Sequence, residues 1–324
     1  MYVLAIDGGG TKTSGVICDE FGTIYAKMIT KRTNPTAMDI TLFKETLHGL
    51  LQALQGQNPE IFSSIEICFA GMAGVKETNT EGIVEEIFRE YIPKKTSIVI
   101  ENDAIIALYT GTLGYPGIVQ IAGTGSITMG YDPTYSYYRV GGWGYLFDDE
   151  GSGYDFGVQA LKAVFQSYDK REKATKLTDA ILAHFAVVSV PELIQCVYSK
   201  EHPRTVIAPL SRYVMVAAGD GDDVANRILE EGCHKLFHAI TTCYHQLTWS
   251  EPSAVPVVLT GGVISNASYF IPKFERLAQQ EQLPLQFIAP SLQPIGGAAV
   301  GALARMGKLI HNNFTENFSK NYGG

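Results

Sequence analysis

The sequence predicts an α/β protein built from two related domains, and three observations carry that prediction. Short apolar runs of strand length alternate with longer stretches of helical spacing. Many of the short runs end in glycine. One order of elements (strand, glycine turn, strand, strand, then helices alternating with strands) occurs twice. Ile6-Asp7-Gly8-Gly9-Gly10-Thr11 opens the first copy and Ile121-Ala122-Gly123-Thr124-Gly125-Ser126 the second. The boundary falls in the glycine-rich segment 111–117, which gives domains 1–112 and 113–324, with a helix over 296–309 free to pack back on the first domain.

Along the first domain, the apolar run 2–6 reads as a buried strand entering a tight turn. Runs 14–18 and 23–29 form a hairpin around Asp19-Glu20-Phe21-Gly22. Leu and Phe at helical spacing predict a helix over 42–54, and 65–70 is a strand followed by Gly71-Met72-Ala73-Gly74. Segment 77–91 is an amphipathic helix with acids near its start, where they suit the helix dipole. A strand over 96–100 leads through Glu101-Asn102-Asp103 into an apolar helix over 104–109. The second domain has strands at 118–122, 127–131 and 137–140, then helices at 154–168, 172–185, 191–198, 204–218 and 222–247. A strand over 255–259 opens onto Gly261-Gly262, and helix 269–280 and strand 285–288 precede the small-residue helix 296–309. The polar, Asn-rich tail 311–324 is expected to fray.

Composition narrows the function. The 324 residues are 46% hydrophobic and 18% charged, a globular balance that excludes disorder and collagen-like architecture. Lys and Arg number 25 against 33 Asp and Glu, a net charge of -8, so no nucleic-acid partner is expected: duplex binding relies on basic side chains to neutralise phosphates. No apolar run reaches the ~18 residues of a membrane span, and the N-terminus lacks the basic and apolar regions of a secretory signal, so a cytoplasmic protein without a membrane partner is expected. The five cysteines form no C-x-x-C pair and read as free buried thiols of a reducing compartment. His234, His238 and His245 share a helical face but lack the acidic partner of a zincin.

The chain has 33 glycines, about a tenth of its residues against about 7% on average, and they are placed rather than scattered. Gly8–Gly10, Gly71 and Gly74, Gly123 and Gly125, Gly141, Gly142 and Gly144, Gly261 and Gly262, and Gly296 and Gly297 form clusters, most of them just after strands. Ligand crevices of open α/β sheets lie beyond the carboxyl ends of strands, and glycine lets backbone N–H groups turn toward anionic oxygens there. The two Gly-Thr/Ser turns could grip a polyphosphate. Neither a G-x-x-x-x-G-K-[ST] nor a G-x-G-x-x-G pattern occurs.

On these residues the chain resembles the actin/Hsp70/sugar-kinase ATPase superfamily. Within it, the chain resembles the BadF/BadG/BcrA/BcrD ATPase family and its N-acetylglucosamine kinase branch. The matching motifs run nearly from end to end: Asp7-Gly8-Gly9-Gly10-Thr11, Glu101-Asn102-Asp103-Ala104, Ala122-Gly123-Thr124-Gly125-Ser126, Gly141-Gly142-Trp143-Gly144, Asp149-Glu150-Gly151-Ser152-Gly153, Leu259-Thr260-Gly261-Gly262-Val263 and Pro294-Ile295-Gly296-Gly297-Ala298-Ala299. The resemblance implies two ribonuclease-H-like (actin-like ATPase) domains with an interdomain nucleotide and sugar cleft. It also implies an ATP- and Mg²⁺-dependent kinase that phosphorylates the 6-hydroxyl of N-acetylglucosamine or a relative such as N-acetylmuramic acid or glucosamine, working as a homodimer.

Residue by residue, the resemblance makes Asp7 the Mg²⁺ partner; its counterpart in the second turn is Ala122, which fits a single metal site. Gly8, Gly9, Gly10, Thr11, Lys12 and Thr13, with Gly123, Thr124, Gly125 and Ser126, hold phosphates, although Lys12 can equally point to solvent. Gly261, Gly262, Gly296 and Gly297 shape the adenosine pocket. Asp103 is the expected catalytic base; either it or Asn102 caps the following helix. The sugar set is Asn34, Asn102, Asp103, Thr124, Gly142, Trp143 and Asp149. Trp143 serves either the sugar or the core, and Asp148 competes with Asp149 for the cleft. The alternative is a BcrA-type ATPase that activates a partner protein, against which the lack of a close cysteine pair argues.

Overall fold

The computed structural model describes residues 1–134, 136–249, 254–265 and 267–323. They form two compact units, 1–116 with 290–324 and 117–289. The first begins with β1 (Tyr2–Gly8), β2 (Lys12–Asp19) and β3 (Ile24–Lys31). Then come α1 (Ile40–Gln57), α2 (Pro59–Ser63), β4 (Ile65–Met72), α3 (Glu81–Tyr91), β5 (Ser97–Glu101) and α4 (Asp103–Thr112). The second unit contains β6 (Gly117–Ala122), β7 (Ser126–Tyr131), β8 (Tyr137–Gly141), α5 (Gly153–Tyr168), α6 (Leu177–Phe185), α7 (Leu193–Tyr198), α8 (Pro203–Ile207) and α9 (Ser211–Gly219). It ends with α10 (Asp223–Gln246), β9 (Val255–Thr260), α11 (Ala267–Gln280) and β10 (Leu285–Ile288). The chain returns to the first unit as α12 (Pro294–Arg305) and α13 (Phe314–Gly323).

Each unit holds one five-stranded mixed sheet, in the order β3-β2-β1-β4-β5 or β10-β9-β6-β7-β8. In both, the first three strands are antiparallel neighbours and the last two run parallel to the first. The α/β class and the repeated theme expected from the sequence are therefore present. β1 carries the unbroken buried run Val3–Ile6, because it lies inside the sheet with parallel β4 on one side. Its register sets Asp7 opposite Ser14 on β2 and Gly71 on β4, and Gly71 faces Glu101 on β5. The carboxyl ends of the three parallel strands thus share one edge, where crevices form in such sheets.

Each unit has its own core. Leu4, Ile6, Leu47, Leu50 and Phe88 lie in the first, and Phe156, Leu229, Phe237 and Phe274 in the second. A fully buried Leu or Phe contributes roughly 1.5–3 kcal/mol.

Several readings need correction, among them the start of the helix expected over 172–185, which begins at Leu177. The second expected domain, 113–324, is divided: 117–289 forms the second unit and 290–324 joins the first. In α12, Gly297 lets the helix approach α4 so closely that a Cβ there would stand 2.0 Å from the Ile106 carbonyl oxygen. The tail is a helix rather than frayed, because Phe314, Phe318 and Tyr322 repeat every fourth residue and are buried. Asn317 Nδ2 donates to the Phe21 carbonyl (2.9 Å) and Lys27 Nζ to that of Tyr322 (2.8 Å), fastening it over the β2–β3 hairpin. Finally, helix 204–218 is two helices joined by a short 3₁₀ turn at Ala208–Leu210, since Pro209 has no N–H to continue the ladder.

Candidate active site

In the first unit, two acids stand at the ends of adjoining elements. Asp7 is the penultimate residue of β1 and Asp103 opens α4. Burial, then the charge of Asp103, pushes Asp7 up to about 7, with Lys12 pulling the other way. Burial, then Glu77, pushes Asp103 up to about 6, against the pull of its own and the Ala104 backbone N–H. The capping alternative is resolved: Asn102 Oδ1 accepts the Ala104 N–H at 2.9 Å, and Asp103 is the first helical residue. Asn102 is buried and its Nδ2 donates to Glu77 Oε1 at 3.3 Å, so both ends of its amide are engaged within the unit.

The β1–β2 turn is held by the Gly9 N–H on the Lys12 carbonyl (3.1 Å), while Gly10, Thr11 and Lys12 are exposed. Gly10 and Thr11 line a cavity of about 520 Å³ with Lys31 and Arg32, two cations that the sequence reading did not select. Thr13 does not face this turn. Its side chain is fully buried and its hydroxyl is 2.7 Å from that of Thr33, so it is withdrawn from the phosphate-binding set. Gly296 and Gly297 are likewise withdrawn from the adenosine pocket. Both are buried in α12, where their missing side chains make room for Leu292, Phe318 and the Ile106 carbonyl. Asn34 Oδ1 accepts from the Thr36 N–H (2.9 Å) and hydroxyl (2.6 Å), which fixes the loop after β3.

In the second unit, the β6–β7 turn is closed by the Gly123 N–H on the Gly125 carbonyl (2.9 Å). The start of α5 donates to it twice, from Gly153 N–H to Gly123 O (2.7 Å) and from Tyr154 N–H to Thr124 O (3.3 Å). Val263 N–H on the Ala122 carbonyl (2.9 Å) brings the Gly261-Gly262 turn beside it. Gly123, Thr124 and Gly262 line a cavity of about 580 Å³ together with Ser211 and Arg212. Those last two lie far along the chain from the glycine turns, so local motif reading had no means of finding them. Ser126 is turned inward: its Oγ accepts from Gln120 Nε2 (3.1 Å) and its N–H serves Asp149.

The adjacent acids divide their work. Asp149 is buried, in a left-handed conformation (φ 63°), and its Oδ2 accepts from Arg204 at 3.1 Å beside Gly125. Burial raises its pKa, while the Ser126 N–H and Arg204 lower it and Asp148 raises it. Asp148 Oδ2 accepts the Trp143 N–H at 2.9 Å and faces a separate cavity of about 560 Å³ with Trp143, Ser126, Glu150, Lys235 and His238. Trp143 is 65% exposed, which rules out a core role. Arg139 lies 4.1 Å over its ring and donates to the Gly141 (3.0 Å) and Gly142 (2.7 Å) carbonyls.

The chain matches the BadF/BadG/BcrA/BcrD ATPase family over residues 4–302 and belongs to that family. It is 33% identical to an N-acetylmuramic acid/N-acetylglucosamine kinase from Clostridium acetobutylicum, across 92% of this chain and 97% of that protein. It is 29% identical to an N-acetyl-D-glucosamine kinase from Dictyostelium discoideum, across 93% and 97% respectively. A solved candidate N-acetylglucosamine kinase from Porphyromonas gingivalis shares the fold, with a TM-score of 0.70 at 21% identity over 94% of this chain and 99% of that one.

Proposed function

We propose that this protein transfers the γ-phosphate of ATP to the 6-hydroxyl of N-acetylglucosamine or a related amino sugar. The observation that carries the reading is the carboxylate of Asp103 at the head of α4, held half-buried beside Asp7 in a unit that also presents an exposed glycine turn. The named kinases among its relatives support the same reaction.

Asp103 accepts the proton of the acceptor hydroxyl as its oxygen bonds to the γ-phosphorus and the bond to the β-phosphate oxygen breaks, releasing ADP. Its raised pKa, about 6, leaves it ionised and basic enough for this work at neutral pH. Gly10 and Thr11 in the first unit's turn, and Thr124 and Gly125 in the second unit's, are assigned as donors to phosphate oxygens; the Gly9 N–H is already taken by the Lys12 carbonyl. Asn34 in the first unit, and Asp149 and the open face of Trp143 in the second, are assigned to sugar recognition, and Gly262 with Arg212 to the nucleoside.

Asp7 fits a Mg²⁺ role: a half-buried carboxylate raised to about 7 by burial and a second acid lacks a full counter-charge, and hard oxygen donors suit that ion. Among the described residues no group of three or more His, Cys, Asp or Glu side chains could hold a metal, so phosphate and water oxygens would complete its shell. When bound, the ion neutralises charge on the transferred phosphate.

A reducing cytoplasm is proposed from the thiols: Cys18, Cys68, Cys233 and Cys243 are free and buried, and burial pushes Cys233 and Cys243 up to about 12. Among the described residues no single helix is long and apolar enough to cross a membrane. A homodimer is proposed on family resemblance, and a monomeric mass by light scattering would refute it. The deciding experiment is a coupled ADP assay with N-acetylglucosamine, N-acetylmuramic acid, glucosamine, N-acetylmannosamine and glucose. Release is expected only with amino sugars. ADP release that ignores sugar and requires a protein partner would replace this reading with the activator one.

A further inference from the structure

The loop between β4 and α3 carries no assigned role, yet it bonds Glu101 and Asn102 at one end and passes beside Asn34 at the other. Its helical pattern from 77 onward is not realised; α3 starts at Glu81. Instead the loop closes on itself. Thr78 donates its N–H (3.1 Å) and hydroxyl (2.8 Å) to the Gly74 carbonyl, Thr80 N–H donates to that of Val75 (3.0 Å), and the Val75 side chain is fully buried. A loop tied in this way has a shape of its own to impose.

Consecutive residues of this loop hold consecutive residues of the β5–α4 junction. Lys76 Nζ donates to Glu101 Oε2 at 2.6 Å, a pair with side chains only 27% and 16% exposed. Glu77 Oε1 accepts from Asn102 Nδ2 at 3.3 Å. Glu101 is held from its other side by Arg305 of α12 (3.2 Å). The next residue is Asp103, and Asn102 supplies both the cap for the Ala104 N–H (2.9 Å) and the carbonyl that accepts the Ile105 N–H (3.0 Å). At its other end the loop runs under Asn34, where a Cβ on Gly74 would stand 2.3 Å from Asn34 Oδ1.

We propose that Lys76 and Glu77 are positioning residues for phosphoryl transfer: by gripping Glu101 and Asn102 they aim the Asp103 carboxylate. The reaction named here rests on the proposed function, but the grip on the junction does not. Misplacing a catalytic group by about 1 Å costs up to roughly a hundredfold in rate, so the links are expected to act on turnover more than on binding.

The test has two arms on the full-length protein. In kinetics, Lys76→Met and Glu77→Ala should lower kcat roughly tenfold to a hundredfold with KM for ATP within about twofold, while Lys76→Arg and Glu77→Gln, which keep the bonds, restore most of kcat. In hydrogen exchange without substrates, the Ala104 and Ile105 amides should exchange several-fold faster in the first two variants and at wild-type rates in the conservative two. Unchanged exchange in Lys76→Met and Glu77→Ala overturns the grip. Wild-type kcat in those variants, or equal loss in the conservative ones, overturns the positioning role. If the wild-type protein itself phosphorylates no amino sugar, the proposed function fails, and the exchange arm alone decides whether the loop holds the junction.

Discussion

The turn after β1 and the turn after β6 occupy the same place in two sheets of one topology, and their chemistry differs. Both follow the strand at which antiparallel pairing gives way to parallel pairing, and both are three-residue connections into an antiparallel partner. β1 delivers a carboxylate at that point, Asp7, and leaves Gly10, Thr11 and Lys12 exposed beyond it. β6 delivers the buried methyl of Ala122, and two carbonyls of its turn are taken by the start of α5. Topology decides where a crevice can form; the residues near the strand end differ in chemistry, Asp7 in one unit and Ala122 in the other. The first unit thus carries a carboxylate beside its turn, where the proposed function places proton transfer and the metal ion. The second has no acid at the corresponding position; its acids lie on the later loop 148–149, and Arg204 and Arg212 stand near its turn.

The hardest blow to this division is aimed at Asp103. Asp103→Ala is expected to cut sugar phosphorylation by roughly 10²–10⁴-fold, the usual contribution of a general base, with nucleotide affinity little changed. Turnover near wild type in a single-turnover assay would remove Asp103 from the mechanism and leave the first unit without its base.

Asp7 comes next and has a signature in stability. Its folded pKa of about 7 lies above the ordinary 3.8, so the folded protein holds this proton more tightly than the unfolded chain. The stability linked to that proton is fully present below about pH 4 and is lost as pH climbs toward 7. In metal-free protein, Asp7→Asn should therefore melt higher than wild type at pH 8, by an amount on the order of a few kcal/mol at most, with the gap closing near pH 4. The same variant should lose activity. A melting difference independent of pH would mean that Asp7 is not held under this strain.

Much of this was legible because it is local. A strand run ending in Asp-Gly-Gly-Gly, or Asn-Asp ahead of an apolar helix, writes its turn and cap within six residues. Links that span the chain were not legible: Arg204 meets Asp149 across 55 positions, and Lys76 meets Glu101 across 25. Other features were present but masked. The aromatic stripe of α13 lies inside an Asn-rich tail whose polarity reads as disorder. Gly296-Gly297 looks like a ligand turn until α4 is seen to press against it. Thr13 reads as a phosphate contact from its place after Lys12, but the strand alternation that faces it inward toward Thr33 takes precedence.

The smallest effect separates the two turns by volume alone. A Cβ added at Gly10 would meet nothing within 4 Å, whereas one at Gly125 would stand 2.5 Å from the Arg204 guanidinium and 2.7 Å from Asp149 Oδ2. Neither glycine has the positive φ that would strain an alanine, so the comparison isolates contact. Gly10→Ala should leave the urea midpoint unchanged within about 0.5 kcal/mol. Gly125→Ala must displace the Arg204–Asp149 pair. Because a guanidinium can swing aside, the cost should be only about 1 kcal/mol, and it should be accompanied by a higher KM for the sugar as Asp149 loses its fixed direction. Equal midpoints for the two variants would show that the second turn is as open as the first and that Arg204 does not hold Asp149 against it.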